Sequence, residues 1–248
     1  MSLYAIGDLH LHYGCELKAK SQLKDPVWID HEIRFKNNCS MMIDDEDTLV
    51  LVGDHSWGRN LMECEKDFEY IKSLPGRKIL TRGNHDMFWD VNKTEMLNDM
   101  FNPDLYFLQG NYETYNDFAL IASKGYCFEG PYYLDNKGNI VGYDNDKYEH
   151  SKKLIDREAK RLIDSFEKAK ADGYRKFIMF IHYPPTSVME KDSVFTRITS
   201  EYNVSEVIYG HIHGKHRFND SLLGKYRGRN YSLISDDYLN WIPKKIMG

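Results

Sequence analysis

The sequence predicts a layered protein of mixed α and β structure, its sheets covered by helices, and two observations carry that expectation. Short apolar runs of strand length recur along the chain, and helical stretches lie between several of them. A third observation concerns domain number. No Pro-, Gly- or Ser-rich linker divides the 248 residues, so one domain spanning 1–248 is expected.

The runs are LYAIGD (3 to 8), TLVLVGD (48 to 54), KILTRGN (78 to 84), FALIAS (118 to 123), KFIMFIH (176 to 182) and EVIYGH (206 to 211). Runs of about 4 to 8 residues rich in Ile, Val, Leu and Phe read as buried strands, since a strand covered on both faces has no solvent side to make polar. The clearest helix is predicted over about Lys152 to Ala171. There Ile155, Ala159, Leu162, Phe166 and Ala169 recur at steps of four and three, after Ser151 as N-cap and before Gly173 as a stop. The segment 125–146 differs in texture: its tyrosines flank a turn at DNKGN, which predicts a surface hairpin or a cap.

Composition narrows the function classes. With 42% hydrophobic and 14% aromatic residues the chain can fill a sizeable core. A net charge of −5 and a pI near 6.1 give no general attraction to phosphate backbones, which argues against a nucleic-acid partner. Four cysteines without CxxC spacing read as reduced structural thiols. The start MSLYAIGD lacks a basic stretch followed by a long apolar one, and no apolar run approaches the roughly 20 residues that a bilayer requires. No membrane partner and a cytoplasmic location are expected. Nothing in the sequence marks an oligomeric interface.

Polar residues gather where the runs end. Asp8 and His10 follow the first, Asp54 the second, Asn84 and His85 the third, His182 closes KFIMFI, and His211 with His213 follow EVIYG. Carboxyl ends of strands in a layered fold share one edge, so these residues are expected to converge on one crevice. Imidazoles with two carboxylates and an amide oxygen form a mixed nitrogen and oxygen set, suited to manganese, iron, zinc or cobalt rather than calcium. Such a set is too large for one four-coordinate ion, and it suffices for two if a carboxylate bridges them. Two ions about 3.5 to 4 Å apart can hold a hydroxide between them and clamp the oxygens of an in-line phosphoryl displacement. Phosphoester hydrolysis is therefore the expected chemistry.

GDLH, GD, GNHD, a lone His after a strand and GHIH, in that order, closely resemble the calcineurin-like metallophosphoesterase superfamily. The resemblance runs from Asp8 to His213. It implies an α+β fold, an αββα four-layer sandwich of two facing mixed β-sheets flanked by helices, the metallo-dependent phosphatase fold. Residue by residue it implies that Asp8, His10, Asp54 and His213 hold a first divalent ion. Asp54, Asn84, His182 and His211 would hold a second, with Asp54 as bridge. His85 would contact the phosphate and protonate the leaving oxygen as general acid, and Asp86 would orient its ring. RGNH also resembles the protein serine/threonine phosphatase branch, which gives Arg82 a role as phosphate grip. HYPP at His182 and the paired GHIH are closer to the phosphodiesterase branches, so monoester and diester substrates both stand. SKGY at Ser123 and the charged helix after it resemble a bacterial group of predicted phosphohydrolases in this superfamily.

Other residues have plainer readings. His31, His55, His150 and His216 belong to no motif and read as structural or surface histidines, and His12 at most faces the substrate. Arg59, in GDHSWGR, is out of register with the phosphatase branch. The basic residues Lys215, Arg217, Lys225, Arg227 and Arg229 read as a solvated face. Two other function classes compete with a phosphohydrolase acting on a small phosphorylated substrate. A non-catalytic scaffold of the same fold would have lost ligands, and these are kept; a nuclease needs a nucleic-acid groove that the acidic balance disfavours.

Overall fold

The computed structural model describes residues 1–15 and 25–248. Strands β1 (Leu3–Ile6), β2 (Thr48–Val52), β3 (Arg77–Thr81) and β4 (Leu105–Leu108) run parallel, and the last strand, β13 (Lys244–Met247), pairs antiparallel with β1 to complete a five-stranded sheet ordered β13-β1-β2-β3-β4. A second, six-stranded sheet contains β5 (Tyr112–Tyr115), β6 (Phe118–Ser123), β9 (Lys176–Ile181), β10 (Glu206–Tyr209), β11 (Gly224–Tyr226) and β12 (Arg229–Leu233), in the order β11-β12-β10-β9-β6-β5. Its central strands β6, β9, β10 and β12 are parallel and its edge strands antiparallel.

Strand alternation explains why the apolar runs are continuous. In β1, Leu3 and Ala5 face the space between the sheets while Tyr4 and Ile6 face outward to a second apolar layer. β2 divides the same way, Val50 and Val52 inward and Leu49 and Leu51 outward. On the other sheet Leu120, Ile178, Phe180 and Ile208 meet them from β6, β9 and β10. Helices cover both outer faces. Phe35 and Cys39 of α1 (His31–Met42), Phe68 and Ile71 of α2 (Leu61–Lys72) and Leu97 of α3 (Thr94–Phe101) pack on the first sheet. Ala159, Leu162, Phe166 and Ala169 of α4 (Asn145–Ala171) and Phe195 and Ile198 of α5 (Val194–Glu201) pack on the second. The result is the expected α+β stack of two mixed sheets flanked by helices.

All six apolar runs form strands, and α4 departs from its expected start. It begins at Asn145, capped by the Asp144 side chain accepting from the Lys147 N–H at 3.1 Å, and Ser151 lies buried inside it. The polar first turns NDKYEHS hide the true N-terminus because they carry no apolar stripe. In the segment 125–146, β7 (Tyr132–Leu134) and β8 (Ile140–Tyr143) form a separate two-stranded hairpin around the DNKGN turn, where Asp135 accepts from the Lys137 and Asn139 N–H groups. Among the described residues no helix is long and apolar enough to cross a membrane.

Asp144→Ala should lower stability by about 1 kcal/mol in urea unfolding, whereas a larger loss from Ser151→Ala would restore Ser151 as the cap.

Candidate metal centre

Beyond the ends of β1 and β2 the two chains stay zipped together. The Asp8 N–H donates to the Gly53 carbonyl (3.0 Å), that of His10 to Asp54 (2.9 Å) and that of Leu11 to His55 (3.0 Å). This sets Asp8 and His10 beside Asp54. The loop after β3 is laced to the loop after β2 by two carboxylates: Asp86 accepts from the N–H groups of Asp54 (2.9 Å), His55 (2.8 Å) and Gly83 (2.7 Å), and Asp54 accepts from that of His85 (2.7 Å). From the other sheet the Gly210 N–H donates to the His182 carbonyl (3.1 Å), and that of His211 to the Asp8 carboxylate (3.0 Å). The loops approach so closely that a Cβ on Gly83 would lie 2.1 Å from Asp54 Oδ1, and one on Gly53 would lie 2.3 Å from His182 Nδ1. Only glycine fits there.

Two ligand groups result. In the first, His10 Nε2 lies 3.3 Å from His213 Nε2 and 3.9 Å from Asp54 Oδ2, and His213 Nε2 lies 3.6 Å from Asp8 Oδ1. In the second, His182 Nε2 lies 2.8 Å from Asn84 Oδ1, 3.2 Å from His211 Nδ1 and 3.3 Å from Asp54 Oδ2. Asp8, His10 and His213 offer one set of ligand atoms within 4.8 Å of one another, and Asp54, His182 and His211 offer another. Asp54 Oδ2 reaches toward both. Lone pairs facing inward at these separations cannot all be satisfied by the few protons available, and mixed nitrogen and oxygen donors suit divalent transition ions, so these residues fit such a group. Backbone strain points to the same place: Asp8 (φ 67°), His10 (φ 47°), Asp54 (φ 53°) and His211 (φ 71°) all adopt the left-handed region, which costs a non-glycine residue on the order of 1 kcal/mol or more.

Charge within the site is strongly coupled. Burial opposes ionisation of Asp8, yet the facing His213 and His182 bring its carboxyl down to about 2. Burial likewise opposes a charge on His182, and Asp54 overrides it, raising the imidazole to about 9. For His10 burial prevails and the ring falls to about 3. His85 is lowered as well, by burial first.

Outside the ligand groups, contacts bear on further expectations. His85 stands 4.0 Å from Asp54 Oδ2, and its ring packs on Trp57 at a centroid distance of 4.2 Å. Among the described residues no hydrogen bond joins Asp86 to that ring. Its oxygens are engaged by three backbone N–H groups, because successive side chains in this tight turn point apart, and it supports the turn instead. Arg82 donates through Nε to the Trp89 carbonyl (2.8 Å), which commits the Nε side of its fork to closing the same turn. His31 and His55 are structural, with ring nitrogens on the carbonyls of Trp28 and Leu9 and of Thr81. Arg217, expected on a solvated face, pairs with Asp220 (3.0 Å) and Glu129 (3.4 Å).

Sequence reasoning missed Trp57, Asp237 and Glu129. Trp57 also stacks on His10, and it sits in GDHSWGR, where an aromatic between two site motifs was a usable signal. Asp237 accepts from His213 Nδ1 (3.0 Å) and from the Gly214 N–H (2.8 Å), and Glu129 accepts from His211 Nε2 (3.1 Å). Each carboxylate fixes the outer nitrogen of an imidazole whose other nitrogen faces the centre. Lys124 lies with its ammonium 5.5 Å and 5.6 Å from the Tyr126 and Tyr183 ring centres, and Tyr183 packs on His211 at 4.2 Å.

The family model described as calcineurin-like phosphoesterase matches residues 1–215. Among solved structures, a protein of unknown function from Aquifex aeolicus, AQ665, is similar at 17% identity with a TM-score of 0.49, covering 98% of this chain and 95% of that one. TT1561 of Thermus thermophilus is similar at 13% identity and a TM-score of 0.48, covering 88% of this chain and 85% of that one. No curated protein matches the chain.

The raised His182 has a consequence for ion binding. Since the metal-free imidazole keeps its proton up to about pH 9, a divalent ion must displace that proton. Apparent affinity should therefore rise with pH by at least about tenfold per pH unit between pH 7 and 9, His213 being raised as well. Calorimetric titration of metal-stripped protein with manganese at several pH values checks this, and a flat profile would contradict it.

Proposed function

We propose, from the premise that this chain belongs to the calcineurin-like phosphoesterase family and is a hydrolase acting on phosphoric ester bonds, that it cleaves a small phosphomonoester or phosphodiester at a centre of two divalent ions. The single observation that carries the reading is the convergence of five strand ends on two ligand groups, with Asp54 in the second and its Oδ2 3.9 Å from His10 Nε2 of the first. Asp8, His10, Asp54 and His213 would hold one ion and Asp54, Asn84, His182 and His211 the other, each being manganese, iron, zinc or cobalt by donor type. Bound there, the ions would activate water and neutralise charge on the phosphoryl oxygens.

The chain's own residues supply the rest. Asp54 ties the two groups into one unit, which fixes the spacing between them. His85 sits on the open side of Asp54 with its side chain 31% exposed, where Nε2 can deliver a proton to the leaving oxygen. Trp57 walls that ring on one side, so its position does not depend on a carboxylate partner. Lys124, whose carbonyl accepts from the His182 N–H at 3.1 Å and whose ammonium lies 5.6 Å from the Tyr183 ring centre, is suited to an anionic substrate. We read the chain as one domain acting in the cytoplasm. The kept ligand set favours an enzyme over a scaffold, and the net charge of −5 favours a small substrate over nucleic acid.

Hydrolysis of p-nitrophenyl phosphate and bis-p-nitrophenyl phosphate by metal-stripped protein, reloaded with manganese, zinc or cobalt, tests the reading. Asp54→Asn should abolish turnover of both. His85→Ala should retain its ions and lose about 10²- to 10⁴-fold on alkyl esters, with a smaller loss on nitrophenyl esters, whose leaving group needs no proton. Loss of metal in His85→Ala would move His85 into the ligand set instead.

A further inference from the structure

The two ligand groups differ in what stands behind them. His213 is backed by Asp237, four residues beyond the end of β12 and held at both oxygens by His213 and the Gly214 N–H. His211 is backed by Glu129, which belongs to neither large sheet. It lies in the loop that leads from β6 into the β7–β8 hairpin, and Gly130 and Pro131 follow it at once. Glu129 Oε1 accepts from His211 Nε2 (3.1 Å) and from Arg217 Nη2 (3.4 Å), and Arg217 is steadied in turn by Asp220 (3.0 Å). The same carboxylate lines two cavities of about 370 Å³ each, one with Arg217 and Thr186, the other with Tyr126, His150 and Tyr183.

We propose that Glu129 is a positioning residue for one ion of the centre only, holding His211 with Nε2–H outward and Nδ1 turned to His182, so that the hairpin loop controls occupancy of the Asp54, His182 and His211 group. The proposal rests on the two-ion reading. Its physical basis is tautomer selection: an imidazole that donates from Nε2 to a carboxylate presents a lone pair at Nδ1. His211 Nδ1 is the atom that faces His182 Nε2, at 3.2 Å. Without Glu129 the ring is free to turn toward either cavity, and the ligand is lost from one group while His10, His213 and Asp8 keep their places. A substrate portion entering either cavity meets Glu129 directly, which links substrate binding to that ion.

Titration of metal-stripped protein with manganese, followed by calorimetry and by elemental analysis after gel filtration, tests this. The wild type should bind two ions. Glu129→Ala should weaken one binding event by about 10- to 100-fold and leave the other unmoved, so that one ion per chain survives filtration. Glu129→Gln, which keeps an oxygen acceptor in the same shape, should fall between the two and supplies the test if the alanine variant folds poorly. In zinc-loaded protein, ¹⁵N-edited spectra should show His211 as the Nε2–H tautomer in the wild type and lose that signal in Glu129→Ala. Two ions bound in every variant with both affinities unmoved would overturn the role of Glu129, as would equal weakening of both events. A wild type that binds one ion or none overturns the two-ion reading itself, which separates the two failures.

Discussion

The site depends on one electrostatic constraint: two ionised carboxylates, an amide oxygen and four imidazoles are held with their lone pairs facing one another at separations of about 3 to 4 Å. In the metal-free chain protons answer part of that demand, which is why His182, though buried, is driven to about 9 by Asp54 and the half-buried His213 is raised well above the ordinary imidazole range by Asp8. The protein holds this arrangement through backbone strain and close loop packing rather than through side-chain choice alone. Four residues of the ligand set accept left-handed backbone, and glycines at 53 and 83 let the loops approach within van der Waals contact. A site built this way is rigid before any ligand arrives.

The two sheets make that geometry available. Asp8 and Asp54 come from one sheet and His182 and His211 from the other, and the apolar layer between Leu3, Val50, Phe180 and Ile208 sets the distance between them. Parallel central strands bring all the relevant carboxyl ends to one edge. Asp86 acts at the seam. By accepting three N–H groups it joins the loops after β2 and β3, and the price of removing it would fall on Asp54 and His85 together.

Much of this was legible in the sequence, for physical reasons that also explain the gaps. Buried parallel strands show as apolar runs, so six of them were readable. β5, β11 and β13 (YETY, GKY and KKIM) were not, because edge strands are partly solvated and carry polar and charged side chains. The ligand residues were readable because each lies within a few residues of a strand's carboxyl end. The neighbour of His85 was not: the resemblance implied Asp86, whose oxygens accept three backbone N–H groups, and Trp57 packs on the ring from another loop. Glu129 reaches His211 across 82 positions and has no spacing that could announce it.

The proposed function places two ions in this cluster with Asp54 between them. Anomalous diffraction from crystals of the wild-type protein grown with manganese tests it most directly. Two peaks about 3.5 to 4 Å apart are expected, one among Asp8, His10 and His213 and the other among Asn84, His182 and His211, with Asp54 touching both. A single peak, or a pair that leaves Asp54 without a bond to either, would contradict it.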